Sequence, residues 1–308
     1  MGPMAKKLLI AAAVALATAI PTLAWNRAGH MTMAAMAYDE LHLLVPATVT
    51  RVIAILQQHP QYESRWKPQL AGMNPQDQER FLFTLAARWP DDIRGDATFD
   101  HPKWHYIDYP YKPPGQPSSV LALAPEAENM VAAFQNNVQI VQSAAPDDQK
   151  AIALCWIFHL MGDSHQPLHA VSMFTKQFPD GDRGGNLIFV KADASSTKTE
   201  NLHAYWDGIM LTDDRYDPAS ALARALETQH PRLTLRELAE PHFEAWVQES
   251  FKLAVSTAYR KGKIKSGVDK DHGVPLPSGY HTAAQHIAER RLVLAGYRLA
   301  DFLRSNFP

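Results

Sequence analysis

One helix, enclosed in the protein interior, constrains this fold more than any other segment of the sequence. Pro146 followed by Asp147 and Asp148 predicts where it begins, because proline fits a first helical turn and carboxylates are stabilised at the positive end of a helix. From there to Asp163 the residues are apolar on nearly every side, which is typical of a buried helix. We therefore expect the segment up to His169 to form the centre of the molecule.

This helix carries two polar side chains, His159 and Asp163, on one of its faces. They are four residues apart, so they lie one turn from each other. Burying an imidazole and a carboxylate among apolar residues costs free energy unless each has a partner. They can hydrogen-bond to each other, or they can share a cation. The helix alone leaves both possibilities open.

The first 24 residues have the form of a secretory signal peptide. Lys6 and Lys7 precede an apolar run over residues 8–20 that is too short to cross a bilayer, and small residues lead up to Ala24. Cleavage after Ala24 would make Trp25 the first residue of a chain of 308 minus 24, or 284, residues. We therefore expect a secreted or periplasmic monomer without stable membrane association.

Charge and cysteine usage exclude two classes of protein. The net charge is −2, and it becomes −4 without Lys6 and Lys7, so the chain lacks the broad basic surface of many nucleic-acid-binding proteins. Any contact with phosphates must be local. The single cysteine, Cys155, rules out an internal disulfide, and its place on the buried helix predicts a small core residue.

Apolar residues at helical spacing predict a mainly α fold, a single-domain multi-helix bundle with one small β-hairpin. We expect Pro90 to end one helix, so that Trp89–Arg94 and Trp104–Asp108 lie in irregular backbone, where ligands are often held. A short strand is expected at Leu187–Lys191, after the turn residues 180–186. The expected helices cover residues 31–44, 46–58, 79–89, 124–142, 146–163, 200–211, 218–228, 233–259 and 281–307.

Several other side chains could join His159 and Asp163 around a metal ion. His203 and Asp207 repeat the four-residue spacing on another predicted helix, and His169 follows the central helix beyond Pro167. Imidazole and carboxylate ligands suit zinc in catalytic sites, which keep one position open for water. Three further candidates are His30, Asp91 and His105.

Six motifs in order resemble the secreted zinc-dependent single-strand-specific nucleases, the family of the fungal and mung-bean enzymes and the plant bifunctional nucleases. The resemblance covers residues 25–308. The motifs are Trp25 with His30 five residues later, Trp89-Pro-Asp91-x-x-Arg94, His105-Tyr-Ile-Asp108, His159-x-x-x-Asp163-x-His-Gln-Pro-Leu-His169, Gly184-Gly-Asn186 and Asn201-Leu-His203-x-x-Trp-Asp207.

The resemblance implies three zinc ions and a single nuclease domain over residues 25–308. Asp91, His105, His159 and Asp163 would bind the first ion. His169, His203 and Asp207 would bind the second. The third would be bound by Asp163 as a bridge, His30, and the free amine and carbonyl of Trp25, which makes cleavage before Trp25 part of the chemistry.

The resemblance also implies a reaction and the residues that support it. The expected activity is endonucleolytic cleavage of single-stranded DNA and RNA to 5′-phosphate products, with 3′-nucleotidase activity. Asp108 would orient or deprotonate the attacking water, with Arg94 as its neighbour and as a partner of the charged phosphate. Tyr106 would stack on an unpaired base and Asn186 would hydrogen-bond to it.

Two other functions stay open. A zinc-dependent phospholipase C shares the helical architecture and the trinuclear cluster, but it has a glutamate where this chain has Asp207. A non-enzymatic periplasmic zinc-binding protein would keep the cluster without the chemistry. The chain also lacks the disulfide cysteines of the eukaryotic nucleases. His165 is expected to be structural, and the histidines expected to be solvated are His42, His101, His272 and His281.

Overall fold

Helix α6 (Asp147–Asp163) runs through the protein interior in the computed structural model, which describes residues 25–308. From Ala151 onward all but one of its side chains are buried, as the sequence predicts. It packs against helices from both halves of the chain. The mainly α fold class is confirmed. The predicted signal peptide lies outside the described residues, so the boundary at residue 24 stays a prediction.

Helices make up most of the described chain. Besides α6, they are α1 (Arg27–Leu44), α2 (Pro46–Leu56), α3 (Lys67–Leu70), α4 (Pro75–Asp92), α5 (Met130–Gln142), α7 (Leu202–Asp207), α8 (Tyr216–Gln229), α9 (Phe243–Leu253) and α10 (Tyr280–Asn306). None of those in residues 25–308 has the length and apolar character needed to cross a membrane.

Five very short strands accompany the helices. They are β1 (Pro110–Tyr111), β2 (Ser172–Met173), β3 (Phe189–Lys191), β4 (Glu200–Asn201) and β5 (Val274–Pro275). The antiparallel pair β3–β4 is the expected hairpin. Strand β5 adds to it in parallel, and β1 pairs in parallel with β2. Neither addition was predicted, because a two-residue strand has no periodicity to detect.

Side-chain caps explain where several helices begin. Asn26 accepts a hydrogen bond from the Gly29 amide at the start of α1, and Asn201 accepts one from Ala204 at the start of α7. Asn129 accepts from two amides at the start of α5. Each satisfies an amide that has no partner within its helix. Two of these helices lead directly into histidines of the site.

Several predicted helix ends are wrong. Helix α4 continues through Pro90 to Asp92, because the proline removes only its own hydrogen bond and the neighbouring Trp89 is fully buried in the core. Asp91 therefore lies in a helical turn. Helix α5 begins only after the Asn129 cap. Helix α7 stops at Asp207, before Gly208. Residues 233–259 form two short 3-10 turns, then α9 and a π turn, with Pro241 interrupting the pattern.

The core has two apolar clusters that meet near the end of α6. The larger cluster lies among α1, α4, α5, α6 and α10. The smaller one packs beneath the β3–β4 hairpin and includes Leu168, Trp206 and Tyr259. The residues that follow α6 enter the smaller cluster, so His159 and Asp163 are presented to the junction of the two. This junction is where the polar groups of the site gather.

Candidate metal centre

Eight buried histidine and aspartate side chains converge at this junction. They form three sets, two of which share His159, and within each set the possible ligand atoms lie within 4.8 Å of one another. All eight are at most 4% exposed. The sets are His30, Asp91 and His159; His105, His159 and Asp163; and His169, His203 and Asp207. The structure thus brings together every side chain that the sequence proposed as a ligand.

The two oxygens of Asp163 face different imidazoles. Its Oδ1 lies 3.2 Å from His30 Nε2. Its Oδ2 lies 3.2 Å from both His105 Nδ1 and His159 Nε2. A carboxylate that faces different imidazoles with each oxygen has the geometry of a bridging ligand. Asp91 approaches the same group, with its Oδ1 4.0 Å from His159 Nε2.

The second group is built by the turn after α6 and by α7. His169 Nε2 and His203 Nε2 are 2.9 Å apart, and Asp207 places its oxygens 3.9 Å and 3.6 Å from them. Two nitrogens bound to one tetrahedral zinc ion at about 2.0–2.1 Å would be roughly 3.3 Å apart. The spacing therefore suits one small cation shared by three ligands.

Backbone carbonyls fix the orientation of three of these imidazoles. The Nδ1 of His159 donates to the Ala87 carbonyl at 2.9 Å, and that of His169 donates to the His105 carbonyl at 2.6 Å. The Nδ1 of His203 donates to Gly184 at 2.7 Å. With the proton held on Nδ1, each Nε2 keeps its lone pair for the centre of the cluster, as a metal ligand requires.

Burial leaves most of these imidazoles neutral, because it lowers their pKa. Burial lowers the pKa of His105 and of His203 to about 3. Burial alone would lower the pKa of His159 as well, but the Asp163 carboxylate raises it above its ordinary value. Burial would raise the pKa of Asp163, but the imidazoles hold it well below its usual range. The first group of candidate ligands is therefore built around an anionic carboxylate, that of Asp163. Its neighbours are the imidazole nitrogens of His30, His105 and His159, which can bind a cation.

Several buried atoms in both groups have no hydrogen-bond partner within residues 25–308. Such atoms cost free energy unless something binds them. All belong to nitrogen and oxygen ligands, and the one thiol, Cys155, belongs to none of the three sets. This donor chemistry fits zinc. The unpartnered atoms include His30 Nε2, Asp91 Oδ2, His105 Nε2, Asp163 Oδ1 and Asp207 Oδ2.

Two residues that the sequence did not single out shape the centre. Gly162 lies against His30, and a Cβ at Gly162 would be 2.5 Å from His30 Nδ1. Gln166 donates from Nε2 to Asp207 Oδ1 at 2.6 Å and accepts from the Leu168 amide at 2.5 Å. Glycine destabilises the interior of a helix, so its presence at position 162 of the predicted buried helix could have indicated a close contact there.

Trp25, at the start of the described chain, is buried beside the site. Its Cβ would be 2.9 Å from a Cβ at Gly29. The next residue, Asn26, donates from its amide to the Asp207 carbonyl at 3.3 Å and from its side chain to Leu211 at 2.5 Å. These bonds tie the chain start to the end of α7. The role of the Trp25 amine and carbonyl as ligands stays a prediction.

Arg94 is not the neighbour of Asp108 that we expected. Its Nε and Nη2 donate to Asp91 Oδ1 at 3.0 and 2.8 Å, because a spacing of three residues places both side chains at the end of α4. The charged side chains that shift the pKa of Asp108 are Glu126 and Arg183. Arg94 therefore contacts a candidate ligand rather than the candidate base.

Asp108 follows His105 at the edge of the cluster. Burial, with the nearby Glu126 carboxylate, raises the pKa of Asp108 to about 6, although Arg183 opposes the shift. A carboxylate with a pKa near neutrality can accept a proton and release it again. Tyr106 is half-buried, and its pKa is raised by burial and by Asp108.

Asn186 lines a cavity of about 420 Å³ together with His203 and Asp207. Its Nδ2 donates to the Arg183 carbonyl at 2.7 Å, and its buried Oδ1 has no partner within the described residues. This oxygen is available to accept a hydrogen bond from a ligand. Tyr106 does not line this cavity.

The remaining histidines behave mainly as expected. His165 is buried between the Met161 carbonyl and Arg298, which donates to its Nε2 at 2.8 Å. The expected solvation of His101 is wrong, because its ring is half-buried and stacks on Trp104 at 3.8 Å. The other three that were expected to be solvated, His42, His272 and His281, are exposed.

Comparison with known proteins agrees with this geometry. The sequence pattern of the family described as S1/P1 Nuclease matches residues 25–308. Endonuclease 3 of Arabidopsis thaliana is 27% identical over 249 residues, which cover 71% of this chain and 74% of that protein. Nuclease S1 of Aspergillus oryzae is 23% identical over 318 aligned positions, which cover 96% of each. Endonuclease 4 of A. thaliana is 30% identical over 172 residues, half of each chain.

Proposed function

The chain belongs to the S1/P1 nuclease family, and we propose that it is a zinc-dependent endonuclease acting on single-stranded DNA and RNA. The family and the names of its relatives support an endonuclease, a hydrolase of phosphodiester bonds. The proposed products end in 5′-phosphate, and the proposed activity includes removal of a 3′-phosphate from nucleotides. The first reaction hydrolyses a phosphodiester and the second a phosphomonoester, and both break the bond between phosphorus and a 3′ oxygen.

The observation that carries the proposal is the convergence of eight buried imidazoles and carboxylates, five of which have a buried atom with no hydrogen-bond partner among the described residues. Their number suits more than one cation, and the two oxygens of Asp163 point to different imidazoles. We propose three zinc ions, with Trp25 completing the set around His30. Bound zinc would supply positive charge for phosphate and lower the pKa of a water molecule.

The protein's own groups would then orient the reaction. Arg94 holds Asp91 through two hydrogen bonds and so sets the direction of that carboxylate. Gln166 does the same for Asp207. Asp108, with its raised pKa, would accept the proton of the attacking water or hold that water in line with phosphorus. The burial of the cluster excludes competing water, which strengthens these interactions.

Recognition of an unpaired base would explain a single-strand preference. Tyr106 offers an aromatic face beside Asp108, and Asn186 offers a free Oδ1 beside His203. A base in a duplex cannot stack on a protein ring, whereas an unpaired base can, and stacking tolerates any base. We therefore propose weak sequence preference. The signal-peptide pattern supports a secreted or periplasmic location.

The test combines metal analysis with a cleavage assay on the chain that begins at Trp25. We expect about three zinc ions per chain, fast cleavage of single-stranded DNA and RNA, and slow cleavage of the same DNA as a duplex. Phosphatidylcholine serves as the second substrate, since a phospholipase would hydrolyse it and a nuclease would not. Zinc-free active protein, or fully loaded protein inert toward every substrate, would contradict the proposal.

A further inference from the structure

The turn formed by residues 181–186 is held by a buried carboxylate, that of Asp182, which is fully enclosed. Its Oδ1 accepts from the Met173 amide at 2.7 Å and from the Tyr259 hydroxyl at 2.9 Å. Its Oδ2 accepts from the Gly185 amide at 3.0 Å. Oδ1 thus connects Asp182 to the rest of the fold, whereas Oδ2 connects it to its own turn.

The same turn sets the position of His203. The carbonyl of Gly184 accepts the His203 Nδ1 proton at 2.7 Å, which aims Nε2 at the second group of ligands. The turn passes so close to the neighbouring backbone that a Cβ at Gly184 would lie 2.4 Å from the Leu168 carbonyl. A small movement of this turn would therefore turn the imidazole.

The turn also carries the candidate substrate contacts. Arg183 has a left-handed backbone, with φ of 56°, which is unusual for a residue with a side chain. Its carbonyl accepts from the backbone and side-chain nitrogens of Asn186 at 3.2 and 2.7 Å. Its side chain is exposed, and its positive charge lowers the pKa of both Asp108 and Tyr106. The strained residue persists because buried neighbours on both sides fix it.

Tyr259 anchors this arrangement from another part of the chain. Its ring is fully buried in the smaller apolar cluster, at the end of the π turn Ala254–Ala258. Its hydroxyl bonds to Asp182, 77 residues away. A buried tyrosine hydroxyl requires a partner, and here the partner is the carboxylate that holds the turn.

We propose that Asp182 and Tyr259 are positioning residues for the second zinc site and for Asn186. The inference rests on the proposed function. Tyr259 and Met173 hold Asp182 in place, and Asp182 holds the turn through the Gly185 amide. The turn then orients His203 through the Gly184 carbonyl. Loss of a group that orients a metal ligand typically weakens metal binding 10- to 100-fold.

Asp182→Asn separates this role from general stability. Asparagine can keep both hydrogen bonds at the Oδ1 position, but its amide nitrogen would face the Gly185 N–H, and two donors cannot bond. The bond to the turn is lost while the bonds to the fold remain. Tyr259→Phe does the reverse, since it leaves the Gly185 bond in place. We therefore expect the asparagine variant to have the larger effect.

The experiment measures zinc per chain against increasing chelator, beside thermal unfolding and cleavage of single-stranded DNA. We expect Asp182→Asn to lose one ion at a roughly 10- to 100-fold lower chelator concentration than the unmodified protein. Added zinc should restore most of its turnover. Tyr259→Phe should show the same loss of one ion, but less strongly.

Tyr38→Phe is the matched control, since it removes a tyrosine hydroxyl that donates to a carboxylate, Glu79, at 3.1 Å. This bond joins α1 to α4 about two helical turns from His30 and about three from Asp91, and it touches no candidate ligand. It should lower thermal stability without releasing zinc. Three ions held with normal affinity by Asp182→Asn would overturn the inference. If Asp182→Asn does not fold, normal zinc affinity in Tyr259→Phe would overturn the inference instead. Unmodified protein without zinc would instead refute the proposed function itself.

Discussion

Gly162 lies directly against the imidazole of His30, so that a Cβ at Gly162 would be 2.5 Å from His30 Nδ1. Alanine favours a helix by up to about 1 kcal/mol over glycine, so only this contact opposes the substitution. We predict that Gly162→Ala displaces His30, lowers zinc content by about one ion per chain and reduces turnover at least tenfold. Metal analysis and the cleavage assay measure both effects.

Gly296→Ala is the control for that prediction. A Cβ at Gly296 would lie 2.9 Å from the Met33 carbonyl, so it also pushes on α1, but it touches no candidate ligand. We expect lower thermal stability with zinc content unchanged. Equal zinc loss in both variants would show that displacement of the helix, rather than of His30, is responsible.

Asp163→Ala should be the most damaging single change at the centre. It removes a buried carboxylate that faces three imidazoles, and only Asp91 then remains as an anion beside His159. Breaking a buried pair from one side costs roughly 3–5 kcal/mol. We predict loss of activity, loss of more than one ion, and a lower melting temperature. Retention of all ions would rule out the bridging geometry.

Asp108→Asn should separate turnover from metal binding. Asp108 belongs to none of the three ligand sets, so zinc content and melting temperature should remain normal. Loss of a positioned general base typically slows a reaction 10²- to 10⁴-fold. We therefore predict a large fall in kcat for single-stranded DNA. A normal cleavage rate in this variant would remove Asp108 from the mechanism.

The pH dependence should follow the charges around Asp108. The carboxylate must be ionised to accept a proton, so activity should fall as pH drops through its pKa. Glu126 raises this pKa and Arg183 lowers it. Glu126→Gln should therefore move the acid limb of kcat/KM to lower pH, whereas Arg183→Gln should move it to higher pH. If the acid limb of kcat/KM moved in the same direction in both variants, another group, such as bound water, would control it.

The first residue can be tested without changing any side chain. If the Trp25 amine binds zinc, one extra residue before Trp25 blocks that amine. We predict about two ions per chain in the extended protein and three in the chain that begins at Trp25. The buried indole should stay in place, so near-ultraviolet circular dichroism should change little. Three ions in both proteins would exclude the amine as a ligand.

The sequence predicted the helices better than their ends. Helix α6 was predictable because its apolar residues surround it completely. The passage of α4 through Pro90 was not, because local rules place a proline at a helix end, and tertiary packing of Trp89 decides otherwise. That extra turn is what places Asp91 beside His159.

Spacing and resemblance predicted the candidate ligands, which the fold brings together, but they did not predict the contacts that support these side chains. Four-residue spacing pairs His203 with Asp207 within one helix. Nothing local relates either of them to Asp182, Tyr259 or Gln166, which reach the site only through folding. The expected pairing of Arg94 with Asp108 failed for a related reason, since Asp91 on the same chain segment was closer.

The carbonyls that receive the Nδ1 protons of His159, His169 and His203 belong to the main chain. A point substitution at Ala87 or His105 changes the side chain there but leaves the acceptor oxygen in place. The orientation of these imidazoles therefore does not depend on which side chain the acceptor residue carries. It changes only when the backbone itself moves. Variation among relatives can therefore accumulate around these rings while their direction is inherited unchanged.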